Sequence, residues 1–293
     1  YLHLSALLNQ KIFYISDPWT TAGQAKINNL SESEIVGIEN IRFFKGEEDN
    51  SRTFAKKLAN LGEIYVNESF ATSHREAASI CAITEFLPSF AGLQLEREVQ
   101  VLTNLTKYPA RPFIAVIGGA KISDKLPVIK RLLPLVDQVL VGGAVANTFL
   151  AANNTDVKQS LIERDQFENA LRILKLARGK IILPEDYHWL EDKILDIGPK
   201  TIGKYQKILG SASTILWSGI VGLAETKPFN EGSMALAQTI GKSPSTSIAG
   251  GGDTVSFLEN HNYTQNFKFV STGGSAMLEL LSGLVLPGIR AFR

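Results

Sequence analysis

FIAVIGGAK, residues 113–121, is a five-residue apolar run that ends in a glycine pair and a lysine. A run this short, apolar on both faces, predicts a buried strand of a parallel sheet, and the glycines predict a turn that opens a helix. Working outward, the pattern recurs in QVLVGGAVAN (138–147), STSIAGGGDT (245–254) and KFVSTGG (268–274). At such turns backbone N–H groups and the helix dipole collect phosphate oxygens. Four of them in one open α/β sheet meet at the carboxyl edge of the strands, where ligands bind, so the pattern points to a phosphate-rich ligand.

Helical stretches follow each turn, over Ser123–Leu135, Ala144–Ala152, Thr254–Glu259 and Ser275–Ser282, and this alternation predicts a doubly wound parallel sheet. In the first third, KIFYIS (11–16), EIVGIENIRFF (34–44) and GEIYVNESF (62–70) read as strands, with a helix over SRTFAKKLANL (51–61), so the pattern is βαβ. GEEDN (46–50) between them reads as a solvated loop. From Pro88 to Leu105 the pattern turns helical, with Leu95, Val99, Leu102 and Leu105 on one face, until Pro109 and Pro112 stop it; this is the expected connector between two domains.

A chain of 293 residues with 44% hydrophobic content can bury two cores, and a net charge of +1 argues against nucleic acid or a membrane surface as partner, so any anion site is local. Cys81 is the single cysteine, which excludes an internal disulfide and a multi-cysteine zinc site, fits a reducing cytoplasm, and reads as a small buried apolar residue. No charged-then-apolar leader opens the chain, whose first residue is Tyr1. The longest charge-free stretch, Gln138 to Thr155, holds three asparagines and a glycine pair, so it reads as strand, turn and helix rather than a membrane span.

Several residues can carry chemistry. Lys121 and Lys125 stand four apart after Gly118-Gly119; on a helix starting near Ile122 both ammonium groups share one face beside the turn amides, which suits a polyphosphate. Two solvated surface lysines satisfy the same spacing, and a Walker A loop is absent. Asp253 and Thr254 after Gly250-Gly251-Gly252 can hold the magnesium of a nucleotide or cap the next helix, and the two roles are compatible. Ser271-Thr272-Gly273-Gly274 reads either as a wrap around a transferred group or as a tight turn without a ligand. Glu225, beyond the loop Trp217–Gly222, can accept from ribose hydroxyls or stand idle in solvent. Arg42 and Arg75 each lie directly past a strand, with His74 beside the latter, and suggest an anion pocket, although lone arginines and histidines also serve as surface and structural residues. Hydrolase triads, zinc motifs and the dinucleotide fingerprint are missing from the sequence.

Taken in order, these segments resemble the phosphoglycerate kinase family over nearly the whole chain. The resemblance is carried by ENIRF (39–43), YVNESFATSHR (65–75), RPFIAVIGGAKISDK (111–125), VGGAVANTFL (141–150), LPEDY (183–187), DIGPKT (196–201), ILWSGIVG (215–222), AGGGDT (249–254), STGGSAMLELLSG (271–283) and LPGIRAF (286–292). It implies a cytoplasmic, monomeric glycolytic kinase that passes a phosphoryl group between 1,3-bisphosphoglycerate and ADP with Mg2+, giving 3-phosphoglycerate and ATP. The runner-up is a nucleotide-binding relic of that family without turnover.

The implied fold is α/β: two doubly wound, Rossmann-like domains joined by a helix, the first incomplete. Its parts would be a substrate-side domain (1–92), an interdomain helix (93–106), a nucleotide-binding domain (107–277) and a tail (278–293) packing back on the first domain. By the same resemblance Lys121 follows the moving phosphoryl group and Gly273 and Gly274 bracket it. Lys125 and Ser218 meet nucleotide phosphate, Gly251 and Gly252 bind the nucleotide in the turn before Asp253 and Thr254, which serve the metal nucleotide, Glu225 holds ribose, and Gly119, Gly142 and Gly143 flank adenine. Arg42, His74 and Arg75 match the family's basic patch for the phosphoglycerate. The family's opening Asp-x-Asn-x-Pro strand and His-x-Gly-Arg-Pro loop have no counterpart here, and Ser218, Ile220, Ala71 and Ser275 stand where the family usually has Asn, Pro, Gly and Gly.

Overall fold

In the computed structural model, which describes residues 1–292, the chain divides by its internal contacts into two units: residues 1–95 with the chain from Leu286 on, and Glu96–Val285. In the first unit β1 (Ile12–Ile15) pairs parallel with β2 (Ile35–Ile38) across the helix Thr21–Asn28, whose first turn is capped by the Thr20 hydroxyl accepting from the Gly23 N–H at 3.1 Å. A separate parallel pair joins β3 (Tyr65–Asn67) to β4 (Ser89–Ala91). The strands expected around the helix Arg52–Ala59 thus exist, but β2 and β3 pair with different partners and no single sheet contains both. Phe54, Ala55 and Leu58 on that helix bury against Ala78 and Ile83, with Trp19 and Phe44 stacked beside Phe54. Two expectations are corrected here. Residues 89–91 form a strand and the helix starts only at Leu93, because this segment pairs with β3: the Pro88 carbonyl accepts from the Tyr65 N–H at 2.9 Å and the Gly92 N–H donates to the Asn67 carbonyl at 2.8 Å. Glu47 in GEEDN is buried, not solvated, since its carboxylate accepts from the Ser79 N–H at 3.0 Å and hydroxyl at 2.6 Å. The chain's end returns to this unit, where Gly288 donates its N–H to the Ser73 carbonyl at 2.8 Å and Arg290 pairs with Glu76 at 2.6 Å.

The second unit holds six parallel strands: β5 (Phe113–Ile117), β6 (Gln138–Val141), β7 (Ile181–Ile182), β10 (Thr214–Ser218), β11 (Thr246–Ala249) and β12 (Phe269–Val270). An antiparallel hairpin, β8 (Tyr187–Leu190) with β9 (Lys193–Ile197), lies between β7 and β10 in sequence. The spatial order is β12-β11-β10-β5-β6-β7. The chain therefore winds outward from β5 in one direction, then returns to β10 beside β5 and winds the other way, which opens a crevice beyond the carboxyl ends of those two strands. Strands β5 and β10 are buried at every position, as the uninterrupted apolar runs require of a sheet covered on both faces.

Helices Gly143–Ala152, Phe167–Ala177, Pro199–Gly210, Glu231–Lys242 and Gly252–Asn260 supply the cover. Trp217 is fully buried among Phe257, Phe267 and Leu236, and its indole donates to the Gly219 carbonyl at 2.8 Å. The tail expected from residue 278 begins its return only at Leu286, and Ser275–Leu281 is a helix of the second unit. Among the described residues no helix is long and apolar enough to cross a membrane.

Candidate functional site

The crevice is shaped by close approach of backbone. Gly118 and Gly119 donate to the carbonyls of Ser218 and Ile220 at 3.0 and 2.9 Å, so the turns after β5 and β10 are stitched together. Gly219 sits at φ +97°, and a Cβ there would overlap the Gly118 carbonyl, so only glycine fits. The Gly219 N–H is held by the buried Thr254 hydroxyl at 2.7 Å, which ties in the turn after β11. Gly251, at φ +101°, then turns the chain into the helix Gly252–Asn260, and space around Gly252 is open.

These turns enclose a cavity of about 400 Å³. Of the residues singled out from sequence, Gly119, Lys121, Lys125, Gly251, Gly252, Asp253, Thr254 and Gly274 line it. Ser275, noted in the sequence as standing where the family usually has a glycine, also lines it, and Ala120, Asp124, Gly219 and Leu278 complete the lining without having been assigned a role; Gly219 was legible only as one glycine of a loop. Ser218 stands behind the wall, its Oγ 2.9 Å from Lys125 Nζ. Gly142 and Gly143 lie outside the lining, with Gly143 donating to the Val221 carbonyl at 2.8 Å, and Glu225 is exposed on the loop beyond. Gly273 is buried and its N–H is already donated to Ser271 Oγ at 3.1 Å, leaving Gly274 to face the cavity.

The two lysines differ. The helix after the first turn begins at Leu126 rather than near Ile122, and residues 122–125 form a turn, so the lysines do not share a helix face. Lys121 is exposed at the cavity, whereas Lys125 is 8% exposed. Burial pushes the Lys125 ammonium down to about 8, against the opposing pull of Asp124 and Asp253. A desolvated cation on the wall and an exposed one beside it suit a polyanion at two depths. The turn after β12 is fixed from below: Thr272 donates its N–H and hydroxyl to the buried Glu98 carboxylate at 2.7 and 2.9 Å, a contact between residues 174 positions apart with no sequence signal.

Among the described residues no three His, Cys, Asp or Glu side chains converge on a metal position. Magnesium bound with phosphate oxygens needs only one or two carboxylates, and Asp253, exposed on the cavity wall, meets that requirement. A larger cavity of the second unit, about 860 Å³ beside the start of the helix Glu231–Lys242, is lined by Lys227, Met234, His261 and Tyr263 among others and includes none of the glycine turns.

In the first unit a cavity of about 280 Å³ is lined by Arg42, Glu47, Glu48, Thr72 and Arg75 among others. Asn40 accepts from the Arg42 N–H at 3.1 Å and so fixes the short turn Ile41–Phe43. The Arg42 guanidinium is already paired with Glu48 at 2.5 Å and holds that carboxyl below its ordinary range. His74 is outside the lining, with Nδ1 2.9 Å from the Ala71 carbonyl. Cys81 is only partly buried, which corrects the core expectation; its thiol, 3.7 Å from the Arg75 carbonyl, is pushed up chiefly by burial.

A family model described as phosphoglycerate kinase matches residues 1–284. The phosphoglycerate kinase of Herpetosiphon aurantiacus is 40% identical over 99% of this chain and 79% of its own length. That of a Roseiflexus species is 39% identical over 92% of this chain and 74% of its own. Among solved structures, the phosphoglycerate kinase of Coxiella burnetii superposes with a TM-score of 0.85 at 36% identity, covering 99% of this chain and 79% of that one. The enzyme of Pyrococcus horikoshii gives a TM-score of 0.89 at 31% identity, with coverage of 99% and 80%.

Proposed function

Because the chain belongs to the phosphoglycerate kinase family, and so is a phosphotransferase acting between 1,3-bisphosphoglycerate and ADP, we propose how its own residues divide that work. The observation that carries the proposal is the convergence of Lys121, Lys125, Asp253 and the glycine turns after β5, β10, β11 and β12 on one cavity at the reversal of strand order. In this reading the nucleotide lies there, with its phosphates against Lys125 and the open turn at Gly252. Glu225 takes the ribose and Gly119, Gly142 and Gly143 flank the adenine.

The reaction makes few demands on protein groups. A terminal oxygen of ADP forms a bond to the phosphorus of the acyl phosphate, and the bond from phosphorus to the carboxyl oxygen breaks with its electron pair on the leaving carboxylate. ADP brings its own nucleophilic oxygen and the carboxylate leaves without a proton, so no general base is required. What remains is alignment and stabilisation of the developing charge. Lys121, exposed at the cavity, supplies a cation to the group in flight, and the Gly274 turn bounds it. Asp253 would hold Mg2+, which when bound neutralises charge on the nucleotide phosphates. Arg42 and Arg75 take the phosphate of 3-phosphoglycerate in the first unit, with His74 nearby, as the small cavity between the two arginines supports. The reading includes a cytoplasmic monomer.

Isothermal titration with MgADP beside a coupled assay of ATP formation tests this. Binding together with turnover is the expected result. Binding without turnover in the protein supplied with 1,3-bisphosphoglycerate would leave only the relic reading.

A further inference from the structure

The chain that carries Lys121 and Lys125 has no regular structure of its own between Gly119 and the helix start at Leu126. A cation that acts on a transient charge must be in place beforehand, since ordering it during the reaction adds an entropic cost to the barrier. The loop is held at its middle. Ser123 donates its N–H to Glu163 Oε2 at 2.9 Å and its hydroxyl to Glu163 Oε1 at 2.8 Å, so both carboxylate oxygens serve one residue 40 positions earlier in the chain.

Glu163 is itself anchored. Its N–H donates to Thr148 Oγ1 at 3.2 Å, and the Thr148 hydroxyl donates to the Ala144 carbonyl at 3.0 Å in the helix that opens from Gly142-Gly143. In the same first turn Val145 donates to the Gly119 carbonyl at 3.2 Å. The bonds close a ring that runs from Gly119 along the lysine loop to Ser123, across Glu163 and Thr148, and back to Gly119. Glu163 is not in the cavity wall, so it touches no ligand there. It precedes the short turn Arg164–Gln166 and is half-buried, outside the apolar core.

We infer that Glu163 is a positioning residue for phosphoryl transfer: through Ser123 it fixes the loop 120–125 so that the Lys121 ammonium is in place before the transferred group arrives. The inference rests on the proposed site, and its test separates the two. In the coupled assay Glu163→Ala should lower kcat about tenfold to a hundredfold, the range a misplacement of the order of 1 Å produces, with KM for MgADP changed less than about threefold. Glu163→Gln should recover most of the loss, because its carbonyl can accept from the Ser123 N–H while its amide donates to Ser123 Oγ. The double variant Ser123→Ala/Glu163→Ala should fall no further than Glu163→Ala alone. Amide exchange at Ser123 should accelerate in Glu163→Ala and be restored in Glu163→Gln.

Lys121→Ala is measured alongside. If it loses turnover while Glu163→Ala keeps wild-type kcat per folded molecule, with only the melting temperature lowered, Glu163 is merely structural and the inference is overturned while the site stands. If Lys121→Ala itself keeps wild-type turnover, the site reading falls and takes the inference with it.

Discussion

The ammonium of Lys125 donates to the hydroxyl of Ser218 across 2.9 Å, joining residues 93 positions apart. Lys125 belongs to the loop after β5 and Ser218 ends β10, so the bond spans the reversal point of the sheet. It satisfies one of three ammonium protons with a neutral partner, which leaves the charge itself uncompensated by any direct ion pair among the described residues. That arrangement is unfavourable in the free protein and favourable once a polyanion arrives.

Lys125 therefore gives the first prediction. Burial lowers its ammonium to about 8 from 10.5, so MgADP affinity should fall as pH rises through about 8, and calorimetric titration should show the inflection lost in Lys125→Arg. For stability the sign is opposite. Between the folded and unfolded values the unfolded chain binds the proton that the folded chain has released, so this residue's contribution to stability rises with pH over that window. At neutral pH Lys125→Met should then be more stable than wild type in urea unfolding, by an amount on the order of 3 kcal/mol at most, while binding MgADP far more weakly.

How much of this was legible in sequence follows from how local each cause is. The four glycine-tipped strands could be read because a buried parallel strand is one continuous apolar run and its turn lies next to it. Lys121, Asp253 and Gly251 were legible for the same reason. The burial of Lys125, the pinning of Ser123 by Glu163 and the seat of Thr272 on Glu98 were not, because each depends on a partner 40 to 174 positions away. Glu47 misled for a related reason: it sits in an acidic run, and only the packing of Ser79 against it turns a solvated glutamate into a buried one. Gly273 reads like Gly274 in sequence, but Gly273 is buried with its N–H donated to Ser271 Oγ, whereas Gly274, at φ +48°, faces the cavity.

Lys121→Ala should leave MgADP affinity within about threefold while turnover falls by about a hundredfold to a thousandfold, the scale of a lost charge-stabilising donor. Lys121 is exposed, so little ground-state desolvation is at stake, and its charge is needed most where charge develops. Equal losses in kcat and in affinity would assign it to ground-state binding.

Asp253→Asn removes a charge but keeps the shape of the first helical turn. Calorimetry with and without Mg2+ should show weaker MgADP binding and unchanged or tighter binding of metal-free ADP, because a negative group facing the phosphates is gone. An equal defect in both titrations would exclude a metal role for Asp253.

Glu48 competes with any anion for Arg42, to which it is bonded at 2.5 Å in a pair whose two side chains are each more than half exposed. Glu48→Gln should therefore tighten 3-phosphoglycerate binding by about twofold to fivefold at low salt, and the gain should shrink at about 0.5 M salt as screening weakens both contacts. In a protein that already carries Arg42→Ala, the Glu48→Gln substitution should leave the affinity unchanged. A gain that persists without Arg42 would place the competition elsewhere.

Two glycines in the second unit should respond to the same methyl group with opposite sign. At Gly219 the backbone is at φ +97° and a Cβ would overlap the carbonyl of Gly118, whose N–H is committed to Ser218 in the stitch between the turns. Gly219→Ala must then either spread β5 from β10 or twist the turn, and a loss of about 3 kcal/mol in urea unfolding is expected, together with weakened MgADP binding as the crevice deforms. Gly203 lies inside the helix Pro199–Gly210 with nothing within 4 Å of a Cβ and no positive φ. There the methyl group only removes freedom from the unfolded chain, so Gly203→Ala should stabilise by about 0.5–1 kcal/mol and leave binding untouched. A Gly219→Ala protein as stable as Gly203→Ala would mean that the turns after β5 and β10 are not in contact, and the crevice on which the nucleotide site depends would have a different shape.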